Sequence, residues 1–229
     1  HIMHFVESQE SYNACKTVVV IDHHRKSVDH IDNAVIFYHE PYASSAAEMV
    51  TELVQYMNER KNIGKNEAEC LLAGIMLDTK NFVLKTGVRT FEAAAYLKRL
   101  GADTVEVRKM FANSMESYQR KTRLVSSAEI YRRCAIAVYR EEDNTDIRVI
   151  TAQAADELLG ISNVDASFVM FDDGTQVSLS GRSLGEINVQ LILETLGGGG
   201  HLTMAGAQLE GESLDEAKTK LLAAIDQYY

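Results

Sequence analysis

The sequence predicts an α/β protein with two domains, and two patterns along the chain lead to this prediction. Short runs of apolar and β-branched residues, typical of strands, alternate with longer stretches whose apolar residues keep helical spacing. A polar helical stretch from about residue 115 to 130 separates two such series, so the boundary falls within roughly residues 113–130. The predicted division is a first domain over residues 1–114, a connector helix over 115–128, and a second domain over 129–229.

The composition is that of a folded protein without a long basic surface. Of the 229 residues, 46% are hydrophobic and 24% are charged, and the formal net charge is −10. This charge argues against sequence-independent binding to long nucleic acid. The cysteines Cys15, Cys70 and Cys134 are scattered, and no apolar run approaches the length of a membrane span, so a cytosolic setting is expected. Cys70 lies in an apolar helical pattern and is predicted to be buried.

The first domain is predicted to begin with two strands that helices follow. Residues 17–21 form an uninterrupted apolar and β-branched run, which predicts a buried parallel strand, and residues 34–38 form a second run. Ser45 and Glu48 fit a capping box at the start of the first helix. The helices of this domain are predicted over residues 43–57, 67–79, 91–100 and 104–111.

The first predicted strand ends in the sequence Asp22-His23-His24. In open α/β sheets, ligands bind beyond the carboxyl ends of the strands. A carboxylate with imidazoles suits a divalent metal of the Mn, Fe or Zn kind, although an ordinary polar turn after a strand would look the same. Asp78 closes an apolar helix, where it either returns to the pocket beside His23 or simply meets water at the helix end.

The second domain is predicted to mix strands with helices. Its strands are expected at residues 134–139, 168–171, 176–180 and 205–209, and its helices at 149–159, 187–196 and 214–225. Asp172, Asp173 and Gly174 lie between two of these strands, and their Asp-Gly step is a strong hairpin signal.

Two stretches of the second domain are candidates for holding an anion. Arg182 follows an apolar strand and precedes a helix, so its guanidinium is either a fork for phosphate or a solvated surface group. Four consecutive glycines at residues 197–200 are conformationally costly. Such a run suits a backbone that approaches a ligand closely or wraps an anion with its N–H groups, and His201 could donate a further hydrogen bond. The alternative is that the glycines form a flexible connection between a helix and a strand.

These motifs together resemble the DHH/DHHA1 phosphoesterase superfamily. The likeness rests, in order, on the Asp-His-His triplet, on Gly-Ile-Met-Leu-Asp-Thr at residues 74–79, and on Gly-Gly-Gly-His at 198–201. Ser-Gly-Arg-Ser at 180–183 fits the substrate loop of the second domain. A narrower likeness, to the GdpP (YybT) family of cyclic-di-AMP phosphodiesterases of Gram-positive bacteria, rests on residues 21–25, 40–45 and 90–94.

The resemblance implies a parallel-sheet DHH domain, incomplete here, and a smaller DHHA1 domain that closes over the nucleotide. It implies hydrolysis of a 3′,5′-phosphodiester of cyclic di-AMP to linear pApA, with two Mn²⁺ ions that clamp the phosphate and deprotonate water. His23 and Asp78 match metal ligands, while Asp22 and His24 match supporting catalytic positions. The residues that match the substrate-holding side are Arg182, Ser183, Gly198, Gly199, Gly200 and His201.

The sequence also departs from the family pattern. A His-x-x-x-Asp-x-Asp cluster and a later Asp, each at the end of an earlier strand, supply metal ligands in the family, and neither occurs here. This predicts one bound Mn²⁺ or none, weak hydrolysis, and a truncated part of a larger, membrane-anchored enzyme whose catalytic region is cytosolic. Two other functions stay open: a nanoRNA or pAp phosphatase of the same superfamily, and a non-catalytic module that binds nucleotide or a second copy of the chain.

Overall fold

Two series of strands and helices follow one another along the chain. The computed structural model describes residues 6–24, 26, 30–56, 63–141 and 145–229. Contacts between residues divide the chain into two units, His1–Ala112 and Asn113–Tyr229. The predicted mixed α/β class with parallel strands is confirmed.

The first unit contains a pair of parallel strands, β1 (Val19–Asp22) and β2 (Ile36–His39), which run in register from Val19 opposite Ile36 to Asp22 opposite His39. Helix α1 (Gln9–Ala14) precedes them, with Ser8 as its N-cap. The helices after the strands are α2 (Ala46–Tyr56), α3 (Lys65–Asp78), α4 (Val88–Arg99) and α5 (Thr104–Met110).

Burial in the first unit corrects two predictions. The strand predicted at residues 17–21 is only half buried, because Val20 is 7% exposed while Val19 is 51% exposed. Cys70, predicted to be buried, lies on an exposed position of α3. Its neighbours Leu72 and Ile75 face the core instead, since they lie on the opposite side of the helix.

The second unit is built on a six-stranded mixed sheet with strand order β3-β4-β5-β6-β8-β7. Only β4 and β5 are parallel among its described pairs. The strands are β3 (Glu129–Tyr131), β4 (Cys134–Val138), β5 (Ala166–Asp172), β6 (Gln176–Ser183), β7 (Gly199–His201) and β8 (Met204–Glu210). The helices are α6 (Met115–Ser126), α7 (Ile147–Leu158), α8 (Val189–Glu194) and α9 (Leu214–Tyr228).

Helices cover both faces of this sheet. Alternate residues of β5 point to opposite sides, so Phe168 and Met170 pack with α8 and α9, whereas Val169 and Phe171 pack with α6 and α7. The polar helix predicted to extend to residue 130 ends at Ser126 and is packed against this second layer. Strands β3 and β7 were not expected from the sequence.

Two hairpins of this sheet turn by different means. The predicted hairpin between β5 and β6 is confirmed, with Gly174 at φ +90° and with Asp173 Oδ1 accepting from the backbone N–H groups of Thr175 and Gln176. The turn between β3 and β4 instead places Arg132 and Arg133 in the left-handed region, at φ 45° and 63°.

These two arginines each reach a carboxylate. Arg132 Nε lies 2.6 Å from Asp226 Oδ1, and Arg133 Nε lies 2.6 Å from Asp165 Oδ2.

Within the described part of the chain, no helix combines the length and the apolar character needed to cross a bilayer.

Candidate functional site

The end of β1 and the end of α3 meet in the first unit. His23, directly after the strand, places its Nε2 atom 3.4 Å from Oδ2 of Asp78, the last residue of the helix. The His23 side chain is 9% exposed and that of Asp78 is 40% exposed, so the pair opens to solvent on the carboxylate side. The structure thus brings together the two residues that match metal ligands, and their role as ligands stays a prediction.

The protonation state of His23 follows from its other ring nitrogen. Nδ1 lies 3.2 Å from the carbonyl oxygen of Ala43, which can only accept, so Nδ1 carries the proton and Nε2 carries the lone pair. Burial lowers the pKa of His23, and nearby His24 lowers it further, while Asp78 and the Ala43 carbonyl oppose this shift. The ring is therefore neutral at neutral pH, the form that binds a metal.

The separation of the two facing atoms fits a shared cation. A lone pair on Nε2 and a carboxylate oxygen repel one another unless a proton or a cation lies between them. Two ligand atoms, each about 2.1 Å from one ion, are about 3.0–3.4 Å apart at bond angles of about 90–109°. Among the residues that the structure describes, no group of three or more His, Cys, Asp or Glu side chains could hold a metal. The described donors at this point are therefore only His23 and Asp78, and whether they hold a cation stays a prediction.

Asp22 and His24 form a second pair beside the first. Asp22 Oδ1 accepts from the backbone N–H of His24 at 2.8 Å and from its ring Nδ1 at 2.7 Å. The carboxylate is nearly buried, while the His24 side chain is 67% exposed, so the pair presents Nε2 of His24 outward. This carboxylate–histidine pairing orients the exposed imidazole, as expected of a supporting residue.

The chain after Asp78 is held by Thr79, a residue of the 74–79 motif to which the sequence analysis gave no role. Thr79 is fully buried; its Oγ1 donates to the Ile75 carbonyl at 2.7 Å and accepts from the Phe82 N–H at 2.9 Å. Lys80, Asn81 and Phe82 then follow one another with φ values of 50°, 57° and 65°. Asn81 is the one residue of the three that favours the left-handed region, so this turn carries only a weak sequence signal.

In the second unit, Arg182 is not a solvated surface group, and its role as a fork for phosphate stays a prediction. It lies within β6, its side chain is 13% exposed, and its Nε is 3.4 Å from Asp156 Oδ1 of α7. Its Nη1 donates to the carbonyl of Gly181 at 2.9 Å. Burial lowers the pKa of Arg182, and Asp156 opposes this shift, so the guanidinium is held charged by a fixed partner.

Ser183 uses its hydroxyl within the fold. The residue is fully buried, and its Oγ donates to the Ile187 carbonyl at 2.7 Å and accepts from the Gly185 N–H at 3.2 Å. These bonds shape the loop between β6 and α8. Ser183 therefore positions the backbone next to Arg182, and its role toward a substrate stays a prediction.

The glycine run lies partly in β7 and partly before it. A Cβ atom at Gly198 would stand 2.3 Å from the Gly206 carbonyl oxygen, and one at Gly200 would stand 2.4 Å from that of Met204. At Gly199, by contrast, a Cβ atom would meet nothing within 4 Å. Two of the glycines are thus required because β7 presses against β8, whereas Gly199 and His201 are exposed.

Comparisons with known proteins match both units. The model of the DHH family N-terminal domain matches residues 2–75, and that of the DHHA1 domain matches residues 134–229. The cyclic-di-AMP phosphodiesterases PdeA of Listeria monocytogenes and GdpP of Bacillus subtilis are 45% and 47% identical over the whole of this chain. In each case the chain spans about a third of the relative's length, 35%.

A solved structure gives the same fold. An exopolyphosphatase-related protein from Bacteroides fragilis superposes with a TM-score of 0.80 at 23% identity, over 92% of this chain and 63% of that one. The two family models fall on the first and second units in the order in which those units follow along the chain. The chain belongs to the DHH/DHHA1 family.

Proposed function

We propose that this chain is the catalytic region of a cyclic-di-AMP phosphodiesterase, which hydrolyses one 3′,5′-phosphodiester to give linear pApA. The observation that carries the chemistry is the approach of His23 Nε2 to Asp78 Oδ2 at 3.4 Å. The substrate is inferred from the 45–47% identity, over 93–100% of this chain, to phosphodiesterases named for cyclic di-AMP. The whole protein would be longer than this chain, membrane-anchored, with this region in the cytosol.

In this proposal His23 and Asp78 would hold a divalent cation, Mn²⁺. When bound, the ion would polarise a phosphoryl oxygen and lower the pKa of a coordinated water. His23 contributes the lone pair that its bond to Ala43 leaves on Nε2. Asp78 contributes a half-exposed carboxylate that solvent and substrate can reach. Two described ligands predict weak binding, so low turnover is expected of this chain alone.

The remaining residues would orient the substrate. Asp22 fixes His24 so that its exposed imidazole meets a phosphate oxygen or the departing 3′-oxygen. In the second unit, Arg182 beside Asp156 stays a candidate for binding phosphate. The exposed part of the glycine run would supply close backbone approach to the nucleotide, at Gly199 in particular, with His201 as a donor next to it.

The proposal is tested by incubating the chain with cyclic di-AMP and Mn²⁺ and quantifying pApA. We expect His23→Ala and Asp78→Asn to abolish product, since each removes half of the described ligand set. Glu106→Gln is the matched control, because this carboxylate is exposed on α5 and contacts only Lys109 among the interactions described. Product formation unaffected by either site substitution would refute the metal assignment.

The same assay separates the alternative substrate. NrnA of Thermus thermophilus, named a bifunctional oligoribonuclease and PAP phosphatase, is 29% identical over 91% of this chain. Faster hydrolysis of pAp or of linear dinucleotides than of cyclic di-AMP would favour that activity. Nucleotide binding that survives a chelator, without any turnover, would instead indicate a binding module.

A further inference from the structure

One buried carboxylate of the first unit takes no part in the site described above. Glu48, in the first turn of α2, is 1% exposed, and its Oε2 accepts from the Ser44 hydroxyl at 2.6 Å. Burying a carboxylate is costly unless a partner compensates it. The burial of the Glu48 carboxylate therefore needs an interaction that compensates it.

The nearby arginine explains little of this burial. Arg89 Nε is 3.9 Å from Glu48 Oε1, whereas the same guanidinium binds Glu52 at 2.8 Å and 2.7 Å through two nitrogens. Glu52 also dominates the causes that raise the pKa of Arg89. Glu48 is thus a secondary partner of that cation, and its close hydrogen bond is the one from Ser44.

Helix capping does not explain the carboxylate either. The capping box predicted from Ser45 and Glu48 is half formed, since Ser45 Oγ accepts from the Glu48 N–H at 3.0 Å. In a full capping box the Ser45 N–H would donate to the Glu48 carboxylate, but here that carboxylate accepts from the Ser44 hydroxyl instead. The Glu48 side chain therefore contacts Ser44, the residue next to Ala43.

Ala43 is the residue whose carbonyl holds His23. Its own N–H donates to the Glu40 carbonyl at 3.0 Å, and it is 1% exposed. The Ala43 N–H on one side of this carbonyl and the Ser44 side chain on the other are thus both hydrogen-bonded. This fixes the direction in which its oxygen meets Nδ1 of His23.

We propose that Glu48 is a positioning residue for the metal ligand His23. By holding Ser44, it fixes the Ala43 carbonyl, which selects the Nδ1–H tautomer and aims the Nε2 lone pair at Asp78. The inference rests on the proposed function for its consequence in catalysis. Its structural content, the tautomer of His23, is independent of that function.

The test compares Glu48→Ala with Glu52→Ala. Glu52 is the matched control, because it lies one helical turn further along, carries the close ion pair to Arg89, and has no described bond to Ser44. We expect Glu48→Ala to weaken Mn²⁺ binding, measured by calorimetry, by about 10-fold, the lower end of the loss when a direct partner of a ligating histidine is removed, because Glu48 acts on His23 only through Ser44 and Ala43. Glu52→Ala should bind within about 3-fold of the parent chain on the same reasoning.

A second readout uses the metal-free protein. The ¹⁵N chemical shifts of His23 report which ring nitrogen is protonated, and we expect the Nδ1–H form in the parent chain and a tautomer mixture in Glu48→Ala. Glu48→Gln should restore the Nδ1–H form, because the amide oxygen can still accept from Ser44. If Glu48→Ala changed the tautomer only by destabilising the fold, Glu48→Gln would not be expected to restore the Nδ1–H signal.

Each outcome decides the inference. Unchanged shifts and unchanged Mn²⁺ affinity in Glu48→Ala would overturn it, as would equal losses in Glu52→Ala. If Glu48→Ala does not fold, Ser44→Ala decides, since it removes the same hydrogen bond and should produce the same tautomer mixture. An absence of cyclic di-AMP hydrolysis in the parent chain refutes the proposed function but leaves the tautomer result to judge Glu48.

Discussion

Replacing single glycines of the 197–200 run distinguishes packing of β7 from contact with a ligand. In Gly198→Ala the new methyl carbon would stand 2.3 Å from the Gly206 carbonyl oxygen and 2.7 Å from Ala207 Cβ. An ordinary contact begins at about 3.4 Å, so β7 must retreat from β8 by about 1 Å. Both obstructing groups belong to β8, which pairs with β6 on its other side and cannot yield.

The expected cost of Gly198→Ala is that of an overpacked core site, about 1–3 kcal/mol of unfolding free energy. Gly199→Ala is the matched control, because its methyl group would meet nothing within 4 Å. It should lie within about 0.5 kcal/mol of the parent chain, or be up to about 1 kcal/mol more stable, since alanine restricts the unfolded chain.

Urea unfolding followed by circular dichroism measures both variants. For a chain of this length, a loss of about 1–3 kcal/mol lowers Tm by about 2–12 °C. Equal stability of Gly198→Ala and Gly199→Ala would refute the close-approach argument. If Gly199→Ala binds nucleotide more weakly at unchanged stability, the exposed side of the glycine run contacts the substrate.

Three further predictions follow from burial of Cys134 and Phe168 in the second unit. Burial raises the pKa of the Cys134 thiol to about 11, so at pH 8 a thiol reagent should modify the exposed Cys15 and Cys70 quickly and Cys134 only after unfolding. Because the unfolded thiol ionises near its ordinary pKa of 9.0 while the folded one stays protonated, the free energy of unfolding should fall as pH rises from about 9 to 11, and less so in Cys134→Ala. Phe168→Ala should cost about 3–5 kcal/mol in urea unfolding, since this ring is fully buried at the centre of the sheet; a loss below about 1 kcal/mol would contradict that placement.

The alternating strands and helices were predictable because the spacing of apolar residues in the sequence matches the positions that are buried in the structure. Residues 166–172 bury six of seven positions, and this shows as the continuous apolar run of a strand covered on both faces. The approach of Asp78 to His23 was foreseeable as one of two alternatives, because a carboxylate that closes an apolar helix lies at the edge of the core. The choice between these alternatives required the structure.

Other parts of the site depend on partners distant in the sequence. The burial of Arg182 is set by Asp156 on another element, and no local pattern reports such a pairing. Strand β7 was missed because two of its three residues are glycines, which have low strand propensity. Helix α1 was missed because none of its residues is buried, so it shows no apolar periodicity.

The Arg132–Arg133 turn makes one corner of the sheet sensitive to ionic strength. A left-handed conformation is unfavourable for a non-glycine residue, and both arginines of this turn form ion pairs, to Asp226 and Asp165. The Debye length shrinks from about 10 Å in 0.1 M salt to about 3 Å in 1 M, which weakens such partly exposed pairs. The Asp173 turn is held by two backbone N–H groups that donate to the Asp173 carboxylate and by Gly174 at positive φ, and its ion pair with Arg148 is longer, at 3.6 Å. In 1 M salt, amide hydrogen exchange should therefore speed up more around Tyr131 than around Gly174.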